Sequence, residues 1–121
     1  MANSTQTITY SQSVVLHVSS VDNRLIGILA PDTPETGGKR TQVFGYDCDG
    51  FGGNAATTID LIPTLNSIGG SPVLSMIGTN FAKSGVVKYM IEVDGLQKIQ
   101  GGGNFHDPYT SEQWSYRFEK S

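Results

Sequence analysis

The strongest constraint on the fold is an alternation of apolar and polar residues with a period of two. Residues 86–93 read Val-Val-Lys-Tyr-Met-Ile-Glu-Val, and 113–119 places Trp114, Tyr116 and Phe118 on one face. Successive side chains of a strand point to opposite faces of a sheet, so both segments are predicted to be strands. Only 55–65 is ambiguous, since it fits a strand or a short helix broken by Pro63. The pattern therefore predicts an all-β protein.

Turn signals separate these strand segments. Asp94-Gly95 lies between two alternating segments, which is typical of a hairpin because both turn residues take positive φ. Asp22-Asn23 predicts a turn within a second hairpin, over 13–30. About seven or eight strands at this spacing predict an antiparallel β-sandwich of jelly-roll or Ig-like form. We expect one domain, 1–121, with an exposed loop at 31–40, where prolines and glycines are concentrated.

Charge and hydropathy limit the partners. The net charge is −3, and the eight Lys and Arg residues are scattered along the chain. Nucleic-acid binding draws on clustered basic residues, so no nucleic-acid partner is expected. No apolar run approaches the ~20 residues of a membrane-spanning helix, and the first residues lack the regions of a signal peptide. We therefore expect a soluble protein that is cytoplasmic or exported without a signal peptide, or extracellular if a leader was removed.

Recognised catalytic signatures are absent from the sequence. Cys48 lies between two aspartates, whose negative charge disfavours a reactive thiolate. His106-Asp107 resembles half of a general-base pair, but no nucleophile motif accompanies it. His17 lies mid-strand, a position typical of a hydrogen-bonded structural or surface histidine. A non-enzymatic protein is predicted.

The segment after residue 46 begins like a calcium-binding loop. Carboxylates stand at its first and third positions and Gly52 at its sixth, but Thr58 occupies the twelfth position, where an EF-hand requires Glu. An EF-hand is therefore excluded, which leaves an acidic glycine turn or a calcium site of another kind. The candidate oxygen ligands of such a site are Asp47, Asp49, Asn54 and Asp60.

The segment 101–118 is the best candidate for a binding site. Three glycines, predicted as turns or bulges, precede the candidate ligand-binding residues Asn104, His106, Asp107, Tyr109 and Trp114. A sugar offers C–H groups to an aromatic face and hydroxyls to polar side chains, so we predict a lectin-like module in which Tyr109 or Trp114 stacks on a carbohydrate. Trp114 also fits a core position, because it alternates with Tyr116 and Phe118. Weak single sites favour multivalency, so a homo-oligomer is expected.

Two further functions stay open. The fragments Val-Val-Leu-His-Val (14–18), Tyr-Asp-Cys-Asp (46–49) and Lys-Tyr-Met-Ile-Glu-Val (88–93) resemble aegerolysins, small acidic β-sandwich proteins that bind membrane lipids. The fragments cover well under a fifth of the chain, which has one Trp where that family has a tryptophan-rich face. The resemblance implies lipid binding at a membrane surface or pore formation, and no family residue is assigned. The remaining alternative is a structural or assembly subunit, for which low charge and abundant Gly and Ser serve packing.

Overall fold

A computed structural model describes residues 5–21, 24–32, 40–47, 57–81 and 83–121. Within them the chain forms nine strands and one short helix. In chain order these are β1 (Gln6–Tyr10), β2 (Val14–Val21), β3 (Arg24–Ala30), β4 (Thr41–Asp47), β5 (Thr57–Asp60), α1 (Ile62–Ile68), β6 (Val73–Asn80), β7 (Gly85–Val93), β8 (Gln97–Phe105) and β9 (Thr110–Lys120).

The strands form two sheets, which confirms the predicted β-sandwich. The five-stranded sheet has the order β1-β9-β6-β3-β4, and the four-stranded sheet has the order β5-β2-β7-β8. Every pairing is antiparallel except that of β1 with β9, which is parallel. The count exceeds the expected seven or eight because β1 and β2 are separate strands. In the described residues, no helix is long and apolar enough to cross a membrane.

The predicted alternation builds the core. On β9, Trp114, Tyr116 and Phe118 are all buried, with Phe118 edge-on to Tyr10 at 6.3 Å between ring centres. The inward residues of both sheets join in one apolar cluster, and large buried side chains of this kind each stabilise the fold by about 1.5–3 kcal/mol. The fully buried members include Val14, Leu16, Val21, Leu25, Leu29, Leu74, Met76, Val87 and Ile91.

The prediction of turns or bulges at 101–103 is wrong, because these glycines lie inside β8. Packing explains the glycines. A Cβ on Gly101 would collide with the Tyr89 ring, which covers this position from the facing strand. Gly102 has φ 106°, and a Cβ there would meet the Val87 carbonyl. Only glycine fits this backbone conformation and close approach.

The ambiguous segment 55–65 contains both predicted elements. It holds strand β5 and then the beginning of α1, with Pro63 in the first helical turn, where its missing N–H removes no helical hydrogen bond. The Asp60 carboxylate accepts a hydrogen bond from the Ile62 backbone N–H at 3.0 Å. Pro63 therefore begins the helix rather than breaking it.

Strand directions define two ends of the sandwich. At one end β6 finishes and β9 begins, with Asn80 paired to Thr110; we call it the Tyr109 end. At the other end β2 begins and β7 finishes, with Val14 paired to Val93; we call it the Asp94 end. Phe81 and the connection 106–109 belong to the first end, and 11–13, 61–72 and 94–96 belong to the second. Residues 33–39, which make up most of the predicted exposed loop 31–40, lie outside the described residues.

Candidate functional site

The connection 106–109 displays an aromatic side chain at the Tyr109 end. Tyr109 is 81% exposed and has a left-handed backbone with φ 58°. Two hydrogen bonds fix the turn below it, since the Asp107 carbonyl accepts from Asn80 Nδ2 at 2.8 Å and from Thr110 Oγ1 at 2.9 Å. Asn80 is fully buried. The ring is thus held outward by an anchored turn.

Tyr109 belongs to a row of three side chains that we call the Tyr109 platform, formed by Arg24, Phe81 and Tyr109. The Tyr109 and Phe81 rings meet edge to face, 6.5 Å apart at 71°. The Arg24 guanidinium carbon lies 4.9 Å from the centre of the Phe81 ring, in a cation–π contact. Beside it, Thr79 Oγ1 and Ser111 Oγ form a hydroxyl pair 3.0 Å apart. An exposed aromatic surface here borders a cation and hydroxyls.

The five predicted ligand-binding residues do not form one site. His106 and Asp107 are exposed in the same connection as Tyr109. Asn104 lies on the outward face of β8, where it lines a groove of about 190 Å³ with residues 86–88 and 101–103. Asn104 therefore faces away from the core on the four-stranded sheet, whereas the Tyr109 platform adjoins the five-stranded sheet.

Trp114 is not available for stacking. Its side chain is only 8% exposed and packs edge to face on Tyr89, with ring centres 5.8 Å apart. The stacking role predicted for it is wrong, and its alternative as a core residue is confirmed. Strand parity explains the result, because Trp114 shares the inward face of β9 with Tyr116 and Phe118.

The buried aromatic cluster has a polar centre. The hydroxyls of Tyr89 and Tyr116 lie 2.6 Å apart, in a hydrogen bond between the two sheets. Burial raises the pKa of Tyr89, and the bond to Tyr116 adds to that increase. Burial likewise raises the pKa of Tyr116. Both phenols thus stay neutral, and their bond satisfies polar atoms inside an otherwise apolar core.

The proposed calcium ligands are divided between the two ends. Asp47 ends β4 opposite Arg24, at the Tyr109 end, whereas Asp60 pairs with Val15 near the beginning of β2. The six steps from Val15 to Val21 span ~20 Å of strand, so Asp60 cannot share an ion with Asp47. Asp49 and Asn54 lie outside the described residues. Among the residues that the structure describes, no group of three or more His, Cys, Asp or Glu side chains could hold a metal ion.

His17 is a hydrogen-bonded surface histidine, as its mid-strand position predicts. Its Nδ1 lies 3.2 Å from Thr58 Oγ1, and its Nε2 lies 3.0 Å from the Glu92 carboxylate. The three residues come from neighbouring strands β5, β2 and β7 and form a row across the outward face of the four-stranded sheet. The row ties the short edge strand β5 to the centre of its sheet.

Sequence reasoning missed two members of the platform, Arg24 and Phe81. Arg24 opens a strand, and Phe81 follows one, 57 positions later. They meet because β3 pairs with β6, with Arg24 opposite Thr79. No local pattern signals that contact, although an aromatic residue in a polar connection such as 81–84 is a hint.

No family model matches the chain, and no curated protein or solved structure matches it significantly. Fold and site together define a class: a two-sheet β-sandwich with an exposed aromatic platform on the connections at one end.

Proposed function

We propose that the protein is a non-enzymatic, lectin-like module that binds a carbohydrate at the Tyr109 end. The observation that carries the proposal is the display of Tyr109, whose ring is 81% exposed on a left-handed backbone. A bulky residue with positive φ is strained. Strained residues held by their surroundings cluster at sites that bind ligands.

The platform offers the two kinds of contact that a sugar requires. The C–H face of a pyranose stacks on the Tyr109 ring, and His106 and Asp107, both exposed in the same connection, donate to and accept from its hydroxyls. Each of these bonds replaces a bond to water, so the net gain is small and single sites are weak. A homo-oligomer would compensate by engaging several sugars at once.

A glycan-array screen of the purified protein, with and without EDTA, tests the proposal. We expect a specific signal that free sugar competes away and that Tyr109→Ala abolishes. The matched control is Leu96→Ala, because Leu96 is 86% exposed at the opposite end of the sandwich. Loss of the signal in EDTA would show that binding requires a divalent ion. A blank array from a folded protein contradicts the proposal, as does equal loss in both variants.

A membrane surface is the second candidate ligand. Tyrosine is favoured at the boundary between lipid and water, and the cation of Arg24 beside Phe81 would suit lipid phosphates. Flotation with phosphatidylcholine vesicles containing phosphatidylserine separates the two ligands. Lipid binding predicts that the protein floats with the vesicles and that free sugars do not change this. Carbohydrate binding predicts no flotation. An assembly subunit predicts that the protein binds neither ligand and sediments as large particles.

A further inference from the structure

A groove separate from the Tyr109 platform lies on the outward face of the four-stranded sheet. It has a volume of about 190 Å³ and runs over the backbones of β7 and β8. The polar side chains at its margin are Lys88 and Asn104, with Val86 as an apolar wall. In the register of the sheet, Val86 stands opposite Asn104, and Lys88 stands opposite Gly102.

The floor of the groove at Gly102 is formed by backbone. The side chains of Lys88 and Asn104 point away from the core, since their neighbours along each strand are turned inward. The φ of 106° at Gly102 and its contact with the Val87 carbonyl forbid a Cβ there. A side chain at this position would therefore collide with the backbone of β7, and the floor between the lysine and the asparagine stays backbone.

The outward neighbours of Lys88 carry no acid, whereas on the inward side the Glu112 carboxylate lies 3.9–4.0 Å from the position of a Cβ on Gly103. Its partners across the sheet are Ser20 and Gly102, and the outward residues next to it along β7 are Val86 and Met90. None of these residues carries a carboxylate. The closest acid on the outward face of β7 is Glu92, four residues along the strand and hydrogen-bonded to His17. In the described residues Lys88 thus has no carboxylate neighbour within the sheet, although the chain as a whole is acidic.

We propose that this groove binds the anionic group of a small ligand, a carboxylate or phosphate carried on a sugar. The Lys88 ammonium and the Asn104 amide donate hydrogen bonds to the anionic oxygens. The apolar ring face of the sugar lies against Val86, over Gly102. Charge-assisted hydrogen bonds of this kind are about twice as strong as neutral ones. The site is independent of the platform and stands whether or not Tyr109 binds a sugar.

Titration of the ¹⁵N-labelled protein with glucuronate, glucose 6-phosphate and glucose tests the proposal. We expect saturable shifts of the amides of 86–88 and 101–104 with at least one of the two anions and none with glucose. A response to glucuronate alone assigns the site to carboxylates, and a response to the phosphate alone assigns it to phosphates. The absence of saturable shifts with both anions overturns the proposal.

Two lysine variants separate a site from general charge attraction. Lys88→Gln removes the charge and leaves a shorter polar side chain, so the anion should bind about tenfold more weakly or worse. The matched control is Lys98→Gln on the outward face of the same strand pair, because Lys98 stands opposite Glu92 and outside the groove. Equal weakening in both variants overturns the proposal. Anion binding in the groove should persist in Tyr109→Gly. Failure of the groove proposal is therefore distinguishable from failure of the proposed sugar binding at the Tyr109 platform.

Discussion

Two connections at opposite ends of the sandwich look alike in outline. Each contains a non-glycine residue with a left-handed backbone, Asp94 at φ 54° and Tyr109 at φ 58°. Each also carries one large exposed apolar side chain, Leu96 at 86% and Tyr109 itself at 81%. In the described residues no other side chain has either property. The two connections differ in whether contacts within the fold account for the left-handed backbone.

The Asp94 connection is explained by structure alone. Aspartate tolerates the left-handed conformation, and Gly95 follows it at φ 69° as a tight hairpin turn requires. The Asp94 carboxylate accepts hydrogen bonds from the backbone N–H groups of Ser11, Gln12 and Ser13 at 2.7–3.2 Å. It thereby ties the connection between β1 and β2 to the β7–β8 hairpin.

In the described residues, no side-chain hydrogen bond of Tyr109 explains its left-handed backbone. Its anchoring hydrogen bonds end on the carbonyl of Asp107, and the Tyr109 side chain contacts Phe81 without a polar role in the fold. A bulky aromatic residue gains nothing from a left-handed backbone. The left-handed backbone at Asp94 is explained by the hydrogen bonds of its carboxylate. At Tyr109 no such contact explains the strain, which is typical of a ligand-binding position.

Replacement of Asp94 should give the largest loss of stability. Asp94→Ala removes the acceptor of the bonds from Ser11, Gln12 and Ser13 at once, so we expect the Tm to fall by several degrees at pH 7. The matched control is Asp107→Ala, because only the carbonyl of Asp107 takes part in the described hydrogen bonds. That variant should melt like the natural protein in differential scanning calorimetry. Equal losses in both variants would remove the distinction between the two ends.

The contribution of Asp94 should depend on pH. The hydrogen bonds from Ser13 and Gln12, with those from Ser11, lower its pKa from 3.8 to about 2. Because the folded pKa is the lower one, this stabilisation is complete above pH 3.8 and disappears as the pH falls through 2. The difference in Tm between the natural protein and Asp94→Asn should therefore be constant from pH 7 to 5 and shrink below pH 3.8. A constant difference down to pH 2 would contradict the assignment.

The core between the two ends should respond to loss of one tyrosine hydroxyl. Tyr89→Phe or Tyr116→Phe leaves the other hydroxyl buried without its partner, so each should lower the free energy of unfolding by about 1–3 kcal/mol. The double variant removes both groups and should lose less than the sum of the two. Urea denaturation of all four proteins measures this coupling. Strict additivity would show that the bond contributes nothing.

Sequence patterns predicted the frame of this molecule well. Period-two alternation located β7 and β9, and Asp94-Gly95 located the hairpin, because each signal acts within a few residues of chain. The glycines of β8 were wrongly predicted as turns or bulges because the reason for them is not local. Their cause is the Tyr89 ring and the Val87 carbonyl on the neighbouring strand, and a turn glycine looks the same in sequence.

The candidate site was only partly predictable. An aromatic residue in a polar loop singled out Tyr109, but nothing local shows which residues the sheet register brings to it. The Arg24–Phe81 contact depends on the pairing of β3 with β6, and the separation of Asp60 from Asp47 depends on strand direction. Long-range pairing is the information that a single sequence lacks.

The same substitution should have opposite effects at the two left-handed positions. Tyr109→Gly relieves a strained backbone and should raise the free energy of unfolding by about 1 kcal/mol, after the entropic cost of glycine. Asp94→Gly also relieves φ but loses the carboxylate bonds, and should lower stability. Urea denaturation measures whether the free energy of unfolding rises or falls in each variant. On the glycan array, Tyr109→Gly should give no signal. A destabilised Tyr109→Gly would mean that the ring supports the fold.

The smallest change concerns what Tyr109 presents to a ligand. Tyr109→Phe keeps the flat ring and should bind a sugar within about twofold of the natural protein, because stacking uses the face and not the hydroxyl. Tyr109→Leu gives this connection the same apolar residue type that Leu96 places at the opposite end. Leucine lacks a flat face, so sugar binding should be lost, whereas insertion of an apolar side chain into a membrane should survive. Retained sugar binding in Tyr109→Leu would show that apolar exposure alone suffices, and the two ends would then differ in their neighbours rather than in their exposed side chains.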